Sequence, residues 1–492
     1  MIRLATKVET RKMNGKIGGI IMKKIILVSV ILGIIGISLT FCSKDENTPI
    51  EIKELRFDIS VNDMSSGTKV VKTSWENGDK IFVFFSCKNT KHRQMNKFVT
   101  LTYNGSTWIA EASSGLNAYS DLYSYGKMHA LFFPFGNVRN TTSALLMSSE
   151  NAAINNSPAL SYYLTDDADY TIGMTGGIAT LSGNLNLKIP DNFVYFYIDE
   201  KDGKFNENEK YRLSVEGVRP VTITGWSTSG YFTQIILGSG QPMWGYKYGD
   251  GIAFSGMVDD SWSAPADHRF IFFEDGEPAV TKIFNKSLDV SDHKHPSIRL
   301  KAPTAINGWT QAISTPQYTL MGDGLKWARW NLGCTDLADE STGIAFRWGD
   351  LVPASGDYYC LLPLYQNIEG AYQLFDVARA YLGADWRMPS KTEFETLAGC
   401  CDLSSSSGGS VTGGDFTGWA LKLTSNTGGN SNSIMLRTIS GSAVGYWTST
   451  YKNSSTYCAF YKRVSSGGDF GTFDDNASSA KIIRPIYIGP TP

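Results

Sequence analysis

The sequence has no excess of charge of either sign. Its 492 residues include 45 Lys and Arg against 47 Asp and Glu, which gives a formal net charge of −2. A protein that binds nucleic acid through the phosphates needs a basic surface patch or a large excess of Lys and Arg over Asp and Glu. The composition therefore predicts no nucleic-acid partner.

Patterns of catalysis and metal binding are also lacking. No Gly-x-Ser-x-Gly nucleophile elbow occurs in the sequence. His293 and His295 would share one face of a strand and could bind a metal, but no further ligand cluster accompanies them, which favours an ordinary linker loop. We therefore expect no enzymatic activity, no metal and no cofactor.

Cysteine is scarce, and its spacing matches no zinc pattern. Cys87 stands alone in the N-terminal half, and the C-terminal third contains Cys334, Cys360, Cys400, Cys401 and Cys458. In an exported protein these residues predict one or two structural disulfides, and the odd number of cysteines in the C-terminal third leaves one free thiol there. The spacing does not determine the pairing.

The compartment is indicated by one long apolar run. Lys23 and Lys24 precede residues 25–41, which carry no charge and consist mostly of Ile, Leu, Val and Gly. A basic start followed by such a run is typical of a secretory signal that begins at Met22. The run has 17 residues, whereas a spanning helix needs about 20.

The residues after this run resemble a bacterial lipobox. Leu39-Thr40-Phe41 leads to Cys42, and an acidic stretch, Ser43-Lys44-Asp45-Glu46, follows as in Bacteroides-type lipoproteins. The resemblance implies lipidation of Cys42 and an anchor in the outer membrane. Phe41 replaces the usual small residue, so an uncleaved membrane anchor and simple secretion stay open as alternatives.

Tight-turn dipeptides recur through the chain. They are Asn77-Gly78, Asn104-Gly105, Asp202-Gly203, Asp250-Gly251, Asp275-Gly276, Asn307-Gly308 and Asp323-Gly324. Such pairs supply the positive φ of β-turns, and the intervening segments, such as residues 80–85 and 193–198, are rich in aromatic and β-branched residues. The pattern predicts β-sandwiches over residues 50–302.

The C-terminal third has helical periodicity as well. Apolar residues recur at helical spacing at Leu374, Val377, Ala378, Tyr381 and Leu382, and Gly383 follows as a stop. Ser390 and Glu393 form a capping box that predicts a second helix over residues 391–398. This third is therefore expected to be α+β.

These observations divide the chain into four parts. We predict a signal peptide with lipobox over residues 1–42, two β-sandwich domains over 43–170 and 171–302, and an α+β domain over 303–492. The internal boundaries are set in two polar stretches, residues 166–177 and 291–304. The predicted fold class is mainly β.

Residues 56–85 carry a first family resemblance. FDIS at 57–60, Thr68-Lys69 and WENGDKIFVF at 75–84 resemble the start of the fimbrillin-like (Mfa/FimA-type) lipoproteins of Bacteroidales. The resemblance implies two tandem transthyretin-like β-sandwich domains. It also implies a place at the cell outer membrane or in a fimbrium.

Five motifs in order carry a second resemblance. They are LKWARWNLG at 325–333, FRWGD at 346–350, DWRMPSKTEF at 385–394, GYWTST at 445–450 and IRPI at 483–486. Together they resemble the Fibrobacter succinogenes major paralogous domain, a C-type-lectin-like fold. The calcium-site motifs of true C-type lectins do not occur in residues 303–492.

The two resemblances together imply a fimbrial tip or accessory subunit that acts as an adhesin. Its partners would be other pilus subunits, joined by donor-strand complementation, and a host or bacterial surface glycan or protein bound by an outward-facing C-terminal domain. The first strand, residues 51–61, would be removed by cleavage at Lys69 or Lys72, although both lysines also fit ordinary loop positions. The alternative is a monomeric glycan-binding surface lipoprotein of a nutrient-uptake system.

Possible ligand-binding residues lie within the C-terminal motifs. They are Trp348, Trp386, Arg387 and Trp447, because exposed aromatic rings stack on sugars and Arg387 could bind a ligand. Packing of the tryptophans in a loop-rich core, and an internal ion pair between Arg387 and Glu393, are the favoured interpretations.

Overall fold

In a computed structural model, the chain is described over the following residues: 54–61, 74–85, 98–111, 125–132, 163–187, 193–199, 205, 211–226, 232–236, 242–248, 250–258, 263–264, 267–284, 288–289, 297–336, 338–339, 343–354, 367–406, 408–416, 418, 420–427, 429, 431–437, 445–452, 457–462, 470–477 and 479–490. The described residues within Leu55–Met174 and Ala179–Pro492 belong to one compact unit.

The first sheet has seven strands. They are β1 (Glu54–Val61), β2 (Lys80–Phe85), β3 (Phe98–Tyr103), β4 (Trp108–Ala110), β5 (Tyr125–Phe132), β6 (Tyr163–Thr175) and β7 (Ile178–Leu185), in the spatial order β1-β7-β6-β5-β2-β3-β4. Burial alternates along β7, where Ala179 and Leu181 are buried and Ile178 and Thr180 are half-buried. This period of two packs one face of the sheet on a core.

Two further sheets contain the next strands. One has the order β12-β9-β16-β17-β20 and the other β13-β14-β8-β19. The strands of this region are β8 (Phe193–Ile198), β9 (Tyr211–Val215), β10 (Val221–Trp226), β11 (Phe232–Ile236), β12 (Met243–Trp244), β13 (Tyr246–Tyr248), β14 (Gly251–Met257), β15 (Ser263–Ala264), β16 (His268–Glu274), β17 (Val280–Phe284), β18 (Leu288–Asp289), β19 (Ser297–Leu300) and β20 (Thr310–Gln311). The pairs β10-β11 and β15-β18 form separate two-stranded sheets.

The two larger sheets share one hydrophobic core. Phe196 and Phe254, from the four-stranded sheet, lie in the same buried cluster as Leu213, Phe270 and Phe272 from the five-stranded sheet. Face-to-face burial of this kind is the arrangement of a β-sandwich.

The C-terminal residues form small sheets and two short α-helices. The strands are β21 (Tyr318–Leu320), β22 (Lys326–Ala328), β23 (Ala345–Phe346), β24 (Trp386–Arg387), β25 (Cys401–Ser406), β26 (Gly409–Val411), β27 (Gly414–Phe416), β28 (Ala420–Ser425), β29 (Ser433–Arg437), β30 (Gly445–Tyr451), β31 (Tyr457–Lys462), β32 (Phe470–Asp475), β33 (Lys481–Ile482) and β34 (Ile486–Tyr487). The sheet orders are β21-β22-β34-β24, β23-β33-β30-β31-β32, β25-β28-β29 and β26-β27. The α-helices are α1 (Val377–Leu382) and α2 (Lys391–Gly399), and 3-10 helices span Ala305–Asn307 and Gly370–Phe375.

The predicted helices are present, with different bounds at the first. Leu374 lies in the 3-10 helix, and Asp376 then adopts extended backbone (φ −74°, ψ 109°) before α1 begins. Its side chain caps the new helix, which explains the break. The predicted capping box of Ser390 and Glu393 is confirmed at the start of α2.

The five-stranded sheet is covered on both faces. Phe270 and Phe272 of β16 point into the sandwich core, whereas Ile271 and Phe273 belong to a second cluster with Trp348, Trp447 and other C-terminal residues. Strands buried on both sides are apolar without alternation, as β16 is. The C-terminal residues therefore pack directly on the outer face of this sheet.

The mainly β prediction is confirmed by these sheets. The predicted boundary at 170/171 falls inside β6, because Gly176 and Gly177, both with positive φ, form a turn between β6 and β7 rather than a linker. Residues 310–311, placed by prediction in the last domain, pair as β20 with β17. The division into domains stays a prediction.

Most of the predicted tight turns contain the expected glycine conformation. Gly78, Gly105, Gly276, Gly308 and Gly324 all have φ between 78° and 95°. Gly251 instead begins β14, where a Cβ atom would lie 2.6 Å from the hydroxyl oxygen of Tyr197. Close approach, not a turn, accounts for that glycine.

Candidate functional site: an edge strand and the C-terminal face

β1 forms one edge of the seven-stranded sheet. It lies beside β7, and no other described strand flanks it. Its side chains alternate: Leu55, Phe57 and Val61 are half-buried and Ile59 is buried, whereas the exposed set is Arg56, Asp58 and Ser60. This is the pattern of a strand that covers a core with one face and meets water with the other.

Polar contacts at its end fix β1 against β7. The hydroxyl of Ser60 lies 3.3 Å from the carbonyl oxygen of Gly183 and 3.1 Å from Oδ1 of Asn184, both of which accept hydrogen bonds. Because a slip of one residue would reverse the two faces of β1, these contacts and the apolar alternation specify the same register.

Gly183 lets β7 approach the neighbouring strands closely. A Cβ atom at this position would lie 2.8 Å from the carbonyl oxygen of Asp169 and would overlap the end of the Met128 side chain, which is fully buried. The backbone that receives β1 is therefore held tightly against the sheet.

The opposite edge of the sheet is short and firmly fixed. β4 has three residues, and its Trp108 ring packs on Trp75 and Tyr103 at centroid distances of 4.8 and 5.2 Å. Glu111, just after β4, pairs with Lys80 at 2.7 Å. Of the two edges, the eight-residue β1 therefore offers the longer row of backbone groups for pairing.

The pKa of Glu111 reflects this fixed geometry. Burial raises the pKa, but hydrogen bonds from Lys80 and Thr102 outweigh it, so that the pKa is lowered overall. The carboxylate is thus charged at neutral pH and holds β4 to the strands beside it.

Three predicted site residues, Cys42, Lys69 and Lys72, lie outside the described residues. Lipidation and processing therefore stay predictions.

The predicted tryptophans of the C-terminal region are in the core. Trp348, Trp386 and Trp447 are buried. The indole N–H of Trp348 donates to the carbonyl oxygen of Thr448 at 2.8 Å, and that of Trp447 to Phe346 at 2.9 Å. The favoured packing interpretation agrees with these positions, and the ring faces are not exposed for stacking on a sugar.

Arg387 is half-buried and forms the predicted ion pair with Glu393. Its Nη1 donates to Oε2 at 2.8 Å, and Nη2 donates to Oε1. Burial raises the pKa of Glu393, but Arg387 and the backbone N–H of Ser390 lower it by more. Glu393 thus joins the helix cap to β24, which is a structural use of both side chains.

Asp376 is a buried carboxylate that the sequence patterns missed. Oδ1 accepts from the backbone N–H groups of Ala378 (2.9 Å) and Arg379 (3.1 Å), and Oδ2 accepts from Met388 (2.8 Å). Burial raises its pKa to about 6, although these three hydrogen bonds act in the opposite direction. It ties α1 to the DWRMP segment, and the signal that could have found it is an N-cap aspartate before an apolar helix.

Cys400 and Cys401, which are adjacent in the sequence, do not form a disulfide bond with each other. Cys400 and Cys401 are buried and unbridged, and burial raises the pKa of Cys401 to about 12. Cys360 and the side chain of Cys458 lie outside the described residues. A thiol with so high a pKa is a poor nucleophile at neutral pH.

A pair of stacked tyrosines is a second feature that the sequence patterns missed. The rings of Tyr318 and Tyr487 lie 4.6 Å apart with an angle of 7° between them. Nζ of Lys326 lies 5.3 Å from the Tyr318 centroid and 5.0 Å from the Tyr487 centroid. Unlike the tryptophans, both rings are only half-buried.

Two other kinds of site do not occur in the part of the chain that the structure describes. No cluster of three or more His, Cys, Asp or Glu side chains with the geometry of a metal site lies among these residues. None of the helices within the described ranges is both long enough and apolar enough to cross a membrane.

Comparison with known proteins begins with sequence. No family model matches the chain. No curated protein matches it significantly either.

Several solved structures align with the chain at low identity. A fimbrial protein from Bacteroides ovatus is 12% identical over 88% of this chain and 98% of its own, with a TM-score of 0.20. The fimbrial anchor protein Mfa2 from Porphyromonas gingivalis is 10% identical over 52% of this chain and 94% of its own, with a TM-score of 0.19. A protein described as a candidate cell adhesion protein, from Bacteroides fragilis, is 10% identical over 51% and 94%, with a TM-score of 0.25. TM-scores at this level establish no shared fold.

Proposed function

We propose that this chain is a surface lipoprotein that acts as a fimbrial tip or accessory subunit and adhesin. Its N-terminal sheet receives a strand from a neighbouring subunit in place of β1. Its C-terminal region binds a glycan or protein. Cys42 carries the lipid anchor in the outer membrane, and cleavage at Lys69 or Lys72 releases β1.

The observation that carries this proposal is the edge position of β1. Removal of β1 would leave the backbone N–H and C=O groups along one side of β7 without sheet partners, and would expose the core around Ile59. Unpaired backbone groups beside an apolar groove bind an extended peptide well, because the strand satisfies the hydrogen bonds and fills the groove together.

The side chains of β1 specify what a replacement strand must look like. Apolar residues are needed at four alternate positions, where β1 has Leu55, Phe57, Ile59 and Val61. Polar residues suit the positions between them. A hydroxyl at the position of Ser60 would reproduce the hydrogen bonds to β7.

Packing of the C-terminal region on the sandwich is compatible with this function. It covers the outer face of the sheet that contains β16, whereas β1 belongs to the seven-stranded sheet. The adhesive region would then be carried rigidly with the sandwich that contains β16 rather than on a flexible joint.

The strand-exchange proposal is tested with a labelled peptide. The mature chain, cleaved between β1 and β2, is mixed with a fluorescent peptide of residues 51–61. We expect the peptide to enter the cleaved protein and release β1, as measured by native mass spectrometry. A peptide with Phe57→Asp and Ile59→Asp serves as the control, because charges at one half-buried and one buried position prevent docking. Equal uptake of both peptides, or no uptake of either, contradicts the proposal.

A second candidate function is a monomeric glycan-binding surface lipoprotein of a nutrient-uptake system. The half-buried pair of Tyr318 and Tyr487 favours it, because aromatic surfaces suit sugar rings. Antibodies against residues 303–492 distinguish the two functions. Labelling at the ends of purified filaments supports the fimbrial role, and absence from filaments supports the uptake role.

A further inference from the structure

Four strands of the C-terminal region align a row of side chains on one sheet face. Leu320 of β21 is paired with Lys326 of β22, Lys326 with Tyr487 of β34, and Tyr487 with Trp386 of β24. Residues paired directly across strands point to the same side of the sheet. The row runs from buried Trp386 to Leu320, whose side chain is 48% exposed.

Tyr318, two residues before Leu320 on β21, lies on the same face and extends this row. The ring of Tyr318 stacks on that of Tyr487. The ring of Trp386 packs edge-on against Tyr487, with 5.2 Å between the two centroids. We call Tyr318, Leu320, Lys326 and Tyr487 the tyrosine platform.

Polar groups at the rim of the tyrosine platform are held in place. Nζ of Lys326 donates to the carbonyl oxygen of Gly489 at 3.2 Å, and the Tyr487 hydroxyl donates to that of Pro490 at 3.1 Å. The backbone N–H of Ile488 donates to the carbonyl oxygen of Asp385 at 2.7 Å, which places exposed Asp385 beside the platform. An ammonium group and a carboxylate therefore flank the stacked rings.

We propose that the tyrosine platform binds a saccharide. A pyranose ring stacks its C–H face on Tyr318, the carboxylate of Asp385 accepts hydrogen bonds from sugar hydroxyls, and Lys326 donates to ring or hydroxyl oxygens. Aromatic rings supply apolar contact with a negative face that attracts the C–H groups, and the fixed polar groups supply orientation. This inference rests on the proposed function, because it names the ligand that the C-terminal region would bind.

The size of the platform favours a sugar over a protein. A stable protein interface buries about 800 Å² on each side and takes about 20–30 residues. The platform includes one exposed large aliphatic side chain, Leu320. A surface of four residues with both charge signs at its rim matches one or two sugar rings.

The test measures binding of simple glycosides to the full mature chain. Methyl β-galactoside, methyl α-mannoside and methyl β-N-acetylglucosaminide are each titrated at millimolar concentration, with saturation-transfer NMR as the readout. We expect at least one of them to receive saturation from tyrosine protons. Tyr318→Ala is expected to weaken that binding about tenfold or more, and Lys326→Met to weaken it by less.

Tyr372→Ala is the matched control. Tyr372 is half-buried and packs on the same core cluster as Tyr318, but it lies in the 3-10 helix, outside the platform. If Tyr372→Ala and Tyr318→Ala weaken binding equally, or if none of the three glycosides binds, the inference is overturned.

Strand exchange is measured on the same proteins. If exchange is intact and sugars do not bind, the inference alone fails; if exchange is absent and sugars bind, the fimbrial proposal fails.

Discussion

The guanidinium of Arg212 on β9 donates from Nη1 to the carbonyl oxygen of Leu374, 2.5 Å away and 162 residues further along the chain. Arg212 is fully buried between the rings of Trp244 and Phe273, with its Cζ 5.5 and 5.6 Å from their centroids. Burial lowers its pKa to about 10, so the side chain remains charged at neutral pH. A side chain of the sandwich thus anchors the C-terminal region.

Replacement of Arg212 by Met should destabilise the whole packed unit. The carbonyl of Leu374 would lose its donor, and an unsatisfied buried acceptor together with a lost charged hydrogen bond costs about 2–4 kcal/mol. Urea unfolding should give this decrease in the free energy of unfolding. Arg299→Ala is the control, because Arg299 is 73% exposed in its ion pair with Asp199, so its loss should change the free energy of unfolding much less. Equal effects of the two variants would contradict the anchoring role.

Stability should depend on pH through Asp376. Its pKa rises from the ordinary 3.8 to about 6 on folding, so the folded chain binds the proton more tightly than the unfolded chain. The free energy of unfolding therefore falls as pH rises from about 4 to about 7, by about 3 kcal/mol at about 1.4 kcal/mol per pKa unit. Asp376→Asn should remove this pH-dependent part of the free energy of unfolding, because the amide does not titrate. The prediction fails if the stability difference between wild type and variant is the same at pH 4 and pH 7.

The capping box contributes locally to α2. Ser390→Ala removes the side-chain acceptor for the backbone N–H of Glu393, now 3.2 Å away, and should cost about 1 kcal/mol. Thr392→Ala changes an exposed residue in the same turn and should have a smaller effect. Thermal unfolding followed by circular dichroism compares the two. A larger loss of thermal stability in Thr392→Ala than in Ser390→Ala would be evidence against the cap.

Close packing behind the proposed exchange edge is tested at Gly183. Gly183→Ala would force Met128 and the backbone at Asp169 to shift, which should cost about 1–3 kcal/mol. At Gly173, on the adjacent strand β6, an added Cβ atom would meet nothing within 4 Å, so Gly173→Ala should be nearly neutral. Chemical denaturation of both variants checks the contrast, and two neutral variants would show that β7 is loosely packed.

Local patterns predicted much of the fold. The mainly β class, the glycines of five tight turns and the capping box of Ser390 and Glu393 all depend on residues close in sequence. The predicted boundary at 170/171 lies within β6, and the polar segment with two glycines that suggested it forms a turn, because such a segment is typical of a hairpin as well as of a linker. Local composition does not distinguish these two conformations.

Long-range contacts account for what the sequence did not predict. The run Phe270-Ile271-Phe272-Phe273 lacks alternation, a signal of burial on both faces, but nothing local identifies what covers the second face. Tyr318 and Tyr487 are far apart in the sequence, and their rings stack because their strands, β21 and β34, both pair with β22. Pairings over such distances are invisible to periodicity.

Strand exchange at β1 is the central claim, and the N-terminus of the native protein tests it most directly. Surface filaments are purified, and the intact mass and N-terminal sequence of this chain are determined within them. We expect a chain that begins just after Lys69 or Lys72, without β1, in a complex with a strand from another subunit. A filament-associated chain that begins at Cys42 and retains β1 beside β7 would contradict the account.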